Sequence, residues 1–141
     1  MGVVLDSSIL IAAERAKFDL PCFIEEELAT EVVYISVITV SELLHGVKRA
    51  KARGNQKAQR AAFVESIISE TPVLNFDIFC ARSHSQLWAD LAKAGKLIGS
   101  HDMLIAATCL CYQHQIATLN RREFSQVAGL KLCATEQYEI R

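Results

Sequence analysis

Residues 2–11 read Gly2-Val3-Val4-Leu5-Asp6-Ser7-Ser8-Ile9-Leu10-Ile11, and the fold class turns on them. The run 2–5 is short, apolar and β-branched, and it stops at an acid. Such a run reads as a strand buried on both faces. Ser7 and Ser8 are good N-cap residues, so a helix is expected from Ile9 to about residue 16. The pattern then repeats. A second helical piece is expected over 21–30 and a strand over 31–35. A long helix, capped by Ser36 or Thr39, runs to about residue 53. Gly54-Asn55 breaks it, and helix resumes over 56–69. A third strand over 72–75 opens with Pro72 at its edge. A helix over 77–94 ends at Gly95, and another runs from 99–100 to about 113. A fourth strand is expected over 116–119, and a fifth over 130–133. Strand and helix alternate, and the strands are too short and apolar for a one-faced sheet. The expected fold is therefore α/β, with a central parallel sheet of four to five strands and helices on both sides.

Composition agrees with one domain over residues 1–141. At 51% hydrophobic and 22% charged, the 141-residue chain is globular in character, and its length suits one core. The net charge of −1 excludes a globally basic nucleic-acid binder, though not a local patch. No apolar run reaches the roughly 18–20 residues that cross a bilayer. The first residues carry Asp6 and no basic segment, unlike a signal peptide, so a cytoplasmic protein with no membrane partner is expected. Cys22, Cys80, Cys109, Cys111 and Cys133 show no C-x-x-C spacing. They are expected to be free thiols, and no zinc site is expected.

Ligands of such sheets bind beyond the carboxyl ends of the strands. Asp6 follows the first strand directly. Glu42 lies in the first turns of the helix after the second. Asp102 begins the helix after Gly99, and Asn120 follows the fourth strand. Three acids and an amide from distant parts of the chain thus converge on one sheet edge. Clustered carboxylates repel unless protonated or joined by a cation. All-oxygen donors suit Mg²⁺ or Mn²⁺. Each acid also has a structural reading. Thr39-x-x-Glu42 matches a capping box, Asp102 favours a helix dipole, and Asp6 is a possible cap.

Four segments carry a family resemblance: VVLDSSILI (3–11), ISVITVSELLHGV (35–47), GKLIGSHDMLIAATCL (95–110) and IATLNRREFSQVAGLKL (116–132). In order and spacing they resemble the PIN domain, and more narrowly the VapC-type toxin ribonucleases of bacterial toxin–antitoxin pairs. The I-x-x-x-D-x-L-I-A-A block around Asp102 is the most specific. The resemblance places Asp6, Glu42 and Asp102 on the three family acids. The fourth acidic position falls near Asn120, an amide that departs from an all-acid set, with Glu123 its rival. The resemblance implies a Mg²⁺- or Mn²⁺-dependent endoribonuclease working by metal-activated water. Asp6 and Asp102 are the expected metal ligands, and Glu42 holds a second metal or orients the water. Asn120 is expected to bond a metal-bound water or a substrate oxygen. The resemblance also implies an RNA substrate, a VapB-like antitoxin and a homodimer.

An RNA substrate needs positive charge nearby. Lys48, Arg49, Lys51, Arg53, Lys57 and Arg60 form a run with no acid among them. Arg121 and Arg122 follow Asn120 and are expected beside the site. Trp88, at helical spacing with Leu87 and Leu91, is expected in the core or an interface. Phe23, Ile24, Leu28, Phe63 and Ile67 are expected to need cover from a partner. Two other readings compete. An aspartyl phosphotransferase would want a second acid two residues after Asp6, where Ser8 stands. An inactive PIN-like scaffold that binds RNA or protein would not need all three acids.

Overall fold

The computed structural model describes residues 1–51 and 54–141. The elements in chain order are β1 (Val3–Leu5), α1 (Ser7–Glu14), α2 (Leu20–Glu27), β2 (Val33–Ser36), α3 (Val37–Arg49) and α4 (Asn55–Glu70). They continue with β3 (Val73–Leu74), α5 (Ile78–Lys93), α6 (Ser100–Tyr112), β4 (Gln115–Ala117), α7 (Arg121–Phe124) and a 3₁₀ turn (Glu136–Tyr138). The strands form one parallel sheet in the order β3-β2-β1-β4. The α/β expectation holds, with four strands. The expected fifth reduces to one parallel bridge between Ile116 and Leu132. Two backbone bonds hold it, Ile116 N–H to the Lys131 carbonyl at 2.9 Å and Cys133 N–H to the Ile116 carbonyl at 2.8 Å.

Alternation along β1 divides the core. Val3 and Leu5 point into a cluster filled by Ile9 and Leu10 of α1, Phe23 of α2, Leu43 of α3 and Val64 of α4. Val4 points the other way, among Leu87 and Leu91 of α5, Ile105 and Ala106 of α6, Ile116 of β4 and Phe124 of α7. A central strand buried on both faces must be apolar at every position, which is why Val3-Val4-Leu5 shows no alternation in sequence.

Helix ends differ from expectation in informative ways. Asp6 stands at the N-cap of α1, yet its side chain makes no capping bond, and Ser7 and Ser8 lie inside the helix. Ser36 caps α3 by accepting the Ile38 N–H at 3.0 Å. Thr39 is instead fully buried, so the Thr39–Glu42 capping box does not form. The α3 helix stops at Arg49, where extended Ala50 caps it; Arg53, at the expected end, lies outside the described residues. Gly99, not Ser100, occupies the N-cap of α6. Asp77 caps α5 through the Cys80 N–H at 3.0 Å. Gly95, at φ 68°, closes that helix in a conformation that a Cβ would strain.

The order β3-β2-β1-β4 sets a topological switch point. Successive strands go to one side of β1 until β4 returns on the other. The crevice of such a sheet opens between the strands flanking the reversal, at their carboxyl ends. Here those ends are Leu5-Asp6 and Ala117-Thr118. Phe124, fully buried, anchors the short α7 beside this crevice. Phe124→Ala is expected to cost about 3–5 kcal/mol of stability. Urea unfolding of the two proteins measures this, and a change below 1 kcal/mol would refute the anchoring role.

Candidate active site

Asp6 is 3% exposed at the crevice floor. Its Oδ2 accepts two hydroxyl bonds, from Ser8 Oγ at 2.7 Å and Thr118 Oγ1 at 2.8 Å. Ser8 Oγ also accepts the Leu119 N–H at 3.0 Å, and Thr118 Oγ1 accepts the Asn120 N–H at 2.9 Å. Two hydroxyls thus lace the end of β1 to the chain leaving β4. That chain leaves the ladder after Ala117, which turns 118–120 toward Asp6 rather than along a fourth strand to 119. The other oxygen, Asp6 Oδ1, is buried with no hydrogen-bond partner among the described residues. A buried carboxylate oxygen left bare is costly, and a cation facing the crevice would satisfy it.

The second acid, Glu42, comes from α3. Ser7 Oγ donates to its Oε1 at 3.3 Å, and His101 Nδ1 lies 3.6 Å from its Oε2. Burial and the Asp6 charge push the Glu42 carboxyl above its ordinary value, partly offset by His101 and Ser7. His45, three residues on, is exposed.

Asp102 stands in the first turn of α6. The Asn120 Nδ2 amide donates to its Oδ2 at 2.8 Å. Asn120 therefore touches Asp102 directly, where a bond to a water or a substrate oxygen was expected. Glu123 is not a merely solvated residue. Its Oε2 accepts the Gly99 N–H at 3.3 Å, and its carboxylate shares a hydrogen bond with Asp102. Burial first, then the Glu123 hydrogen bond and the charges of Asp6, Glu123 and Glu42, push Asp102 up to about 7. Glu123, bonded to Asp102 and to the Gly99 N–H, is held below its ordinary value.

All four expected residues therefore meet at the switch point, with Ser8, Thr118 and Glu123 added. Thr118 was not singled out within the 116–132 segment, and Ser8 read only as a cap. Among the described residues, three His, Cys, Asp or Glu donors lie within 4.8 Å of one another only at Asp77, Cys80 and Cys111. The crevice carboxylates are thus spaced more widely. That spacing fits Mg²⁺, which keeps several waters and takes one or two carboxylates directly. The bare Oδ1 and the mutually repelling acids fit a hard divalent cation.

The surroundings correct other expectations. Arg121 turns away from the crevice: its guanidinium donates to the Cys133 carbonyl at 2.6 Å and pairs with Glu136 at 3.2 Å. Arg122 is exposed. Glu42 opens into a cleft of about 220 Å³ that also carries Arg15, Arg49 and Arg60. Arg60 pairs with Glu14 at 2.9 Å, so part of the basic run is balanced.

Acids at the switch point of a four-stranded parallel sheet define a class, and comparison gives it a name. Residues 3–130 match the family model of the PIN domain, and the chain belongs to that family. It is 36% identical over 132 residues to Ribonuclease VapC1 of Rickettsia felis, covering 94% of this chain and 95% of that one. It is 30% identical over 130 residues to the tRNA(fMet)-specific endonuclease VapC of Shigella flexneri, covering 91% and 93%. The fold superposes on VapBC2 of Rickettsia felis bound to a promoter DNA fragment, with a TM-score of 0.82 and 25% identity over 94% of this chain and 98% of that chain. The expected VapC-type likeness is thereby established.

Two predictions follow from the crevice. Replacing Thr118 by Val removes one of the two bonds that aim Asp6. Such losses around a metal ligand typically cost 10–100-fold in affinity, so Thr118→Val is expected to weaken Mn²⁺ binding by about that factor in calorimetric titration. Unchanged affinity would dismiss the lacing. The second concerns pH. Asp102 holds its proton in the fold to about pH 7 but releases it near 3.9 when unfolded. Metal-free stability should therefore fall as pH rises from about 4 to 7. A cation needs that carboxyl ionised, so the Mn²⁺-induced rise in Tm is expected to be larger at pH 8 than at pH 5.5. Equal rises at the two pH values would refute the coupling.

Proposed function

We propose that this chain, as one PIN domain over residues 1–141, is a divalent-metal-dependent endoribonuclease, the toxin of a toxin–antitoxin pair. The single observation that carries this reading is the buried Asp6 with its bare Oδ1, near enough to Asp102 and Glu42 for its charge to raise both. The ribonuclease names of its relatives agree with it.

Asp6 and Asp102 would hold Mg²⁺ or Mn²⁺, and Glu42 would hold a second metal or orient the water. When bound, such a cation lowers the pKa of a water and neutralises charge on the scissile phosphate. The chain's own groups do the rest. Ser8 and Thr118 fix one Asp6 oxygen and leave the other free of protein hydrogen bonds. Asn120 fixes Asp102 by donating to Oδ2, since an amide carries no charge and is no general base. Ser7 and His101 hold Glu42. Arg15 and Arg49, in the cleft beyond Glu42, offer a track for the RNA backbone.

The partners follow from the same reading. VapBC complexes are among the solved structures with this fold, and we assign the chain a VapB-like antitoxin. No helix among the described residues is long and apolar enough to cross a membrane, and we place the protein in the cytoplasm. A homodimer needs an exposed apolar face. Phe23 and Leu28 are buried in the chain's own core, and Phe63 and Ile67 pack against it, so of the five residues expected to need cover only Ile24 is exposed. Ile78, Phe79 and Trp88 of α5, with Leu97 just beyond it, are among the exposed apolar residues and lie close together in the chain. Trp88 is 60% exposed, which removes it from the core. We place the dimer contact there.

Single-turnover cleavage of a fixed RNA at saturating Mn²⁺, with an EDTA control, tests the activity. Asp6→Ala and Asp102→Ala are expected to abolish cleavage. Asn120→Ala should lose about 10–100-fold, and Glu123→Gln less than Asn120→Ala. Wild-type expression should stop bacterial growth and Asp6→Ala relieve it. RNA bound but uncut by wild type, with metal present, would favour the inactive scaffold instead.

A further inference from the structure

A second cluster lies away from the crevice. Asp77 caps the start of α5, Cys80 sits in the first turn of the same helix, and Cys111 comes from the last turn of α6. One oxygen or sulfur from each lies within 4.8 Å of the others. We infer that Asp77, Cys80 and Cys111 form a binding site for a borderline-soft divalent cation, Zn²⁺, that ties α5 to α6.

The donor set selects the ion. Two thiols disfavour Mg²⁺ and Mn²⁺ and suit zinc. At Zn–S of about 2.3 Å and Zn–O of about 2.0–2.2 Å, tetrahedral donors stand about 3.5–3.8 Å apart. The donor atoms here, all within 4.8 Å of one another, need at most about an ångström of contraction to reach it. The carboxylate is already oriented. Asp77 Oδ1 accepts the Cys80 N–H at 3.0 Å, and Oδ2 accepts the Tyr112 hydroxyl at 2.8 Å. Each oxygen keeps a further lone pair for the ion, and such outer bonds are what hold a metal-ligating carboxylate in place. Cys80 is fully buried, Cys111 half-buried and Asp77 exposed, so the ion can enter from solvent and a water completes the fourth position.

The site is separate from the crevice. Cys111 follows Asp102 by nine residues on one helix, about 13–14 Å along its axis. It ties the helix that carries Asp102 to its neighbour without touching the acids.

The test uses the full chain in a non-thiol reductant, with Co²⁺ as spectroscopic probe and Zn²⁺ as competitor. Wild type is expected to bind one Co²⁺ with thiolate charge-transfer absorption, which Zn²⁺ displaces. Zn²⁺ should also raise Tm by on the order of several degrees at 100-fold its Kd. Cys111→Ser, at a half-buried position, should lose the thiolate absorption, as should Cys80→Ser. Asp77→Asn should weaken binding by at least tenfold. Asp102→Asn should leave the absorption unchanged, which separates this site from the crevice. No thiolate absorption in wild type, or its persistence in both serine variants, overturns the proposal.

Discussion

The carboxylate of Asp6 has to be buried where the sheet reverses direction, and much of the local structure answers to that constraint. Burying a charge is expensive unless it is hydrogen-bonded or joined by a cation. One oxygen takes two hydroxyl bonds, from α1 and from the segment after β4. Those same hydroxyls accept backbone N–H groups of Leu119 and Asn120. The chain leaving β4 is thereby bent so that Asn120 reaches Asp102. The second oxygen has no protein partner. A scaffold with no use for a cation would bear this cost with nothing in return.

The remaining acids extend the argument. Burial and the contact with Glu123 raise Asp102, and Glu42 leans on His101 and Ser7. Such shifts are how neighbouring carboxylates answer mutual repulsion: toward the protonated form where they touch, with hydrogen bonds where they do not. Under the proposed function, a divalent cation at Asp102 would compete with the proton there.

Much of this was legible in sequence, for physical reasons that differ by residue. Val3-Val4-Leu5 announced a central strand because both faces are covered. Asp6, Glu42 and Asp102 were legible because acids at strand ends and helix starts lie on the ligand edge of a parallel sheet. Ser8 and Thr118 were not, since a serine after a strand reads as a cap and a buried threonine reads as core. Arg121 misled because a four-residue helix turns its side chain toward the 3₁₀ turn, a long-range contact with no local signal. Cys80 and Cys111 were read singly, being 31 residues apart in sequence; only the packing of α5 on α6 joins them. The spacing of Leu87, Trp88 and Leu91 left Trp88 as core or interface, because helical spacing alone does not tell which side of α5 is covered. In the fold Leu87 and Leu91 take the core side and Trp88 faces out.

The amide at position 120 is the chain's main departure from an all-acid site, and the geometry gives it a reason. A carboxylate there would face Asp102 and add a like charge beside one already raised by Glu123, Asp6 and Glu42. Asn120 instead donates an N–H to Asp102 Oδ2, which a carboxylate cannot do. The donation favours the ionised form of Asp102 and so opposes burial and Glu123, which favour the protonated one. Glu123 supplies negative charge at the rim, where water screens it. Charge and orientation, which a fourth acid would have to provide from one position, are therefore divided between two residues of α7 and its cap. The buried ring of Phe124, next in the chain, keeps both in register with Asp102.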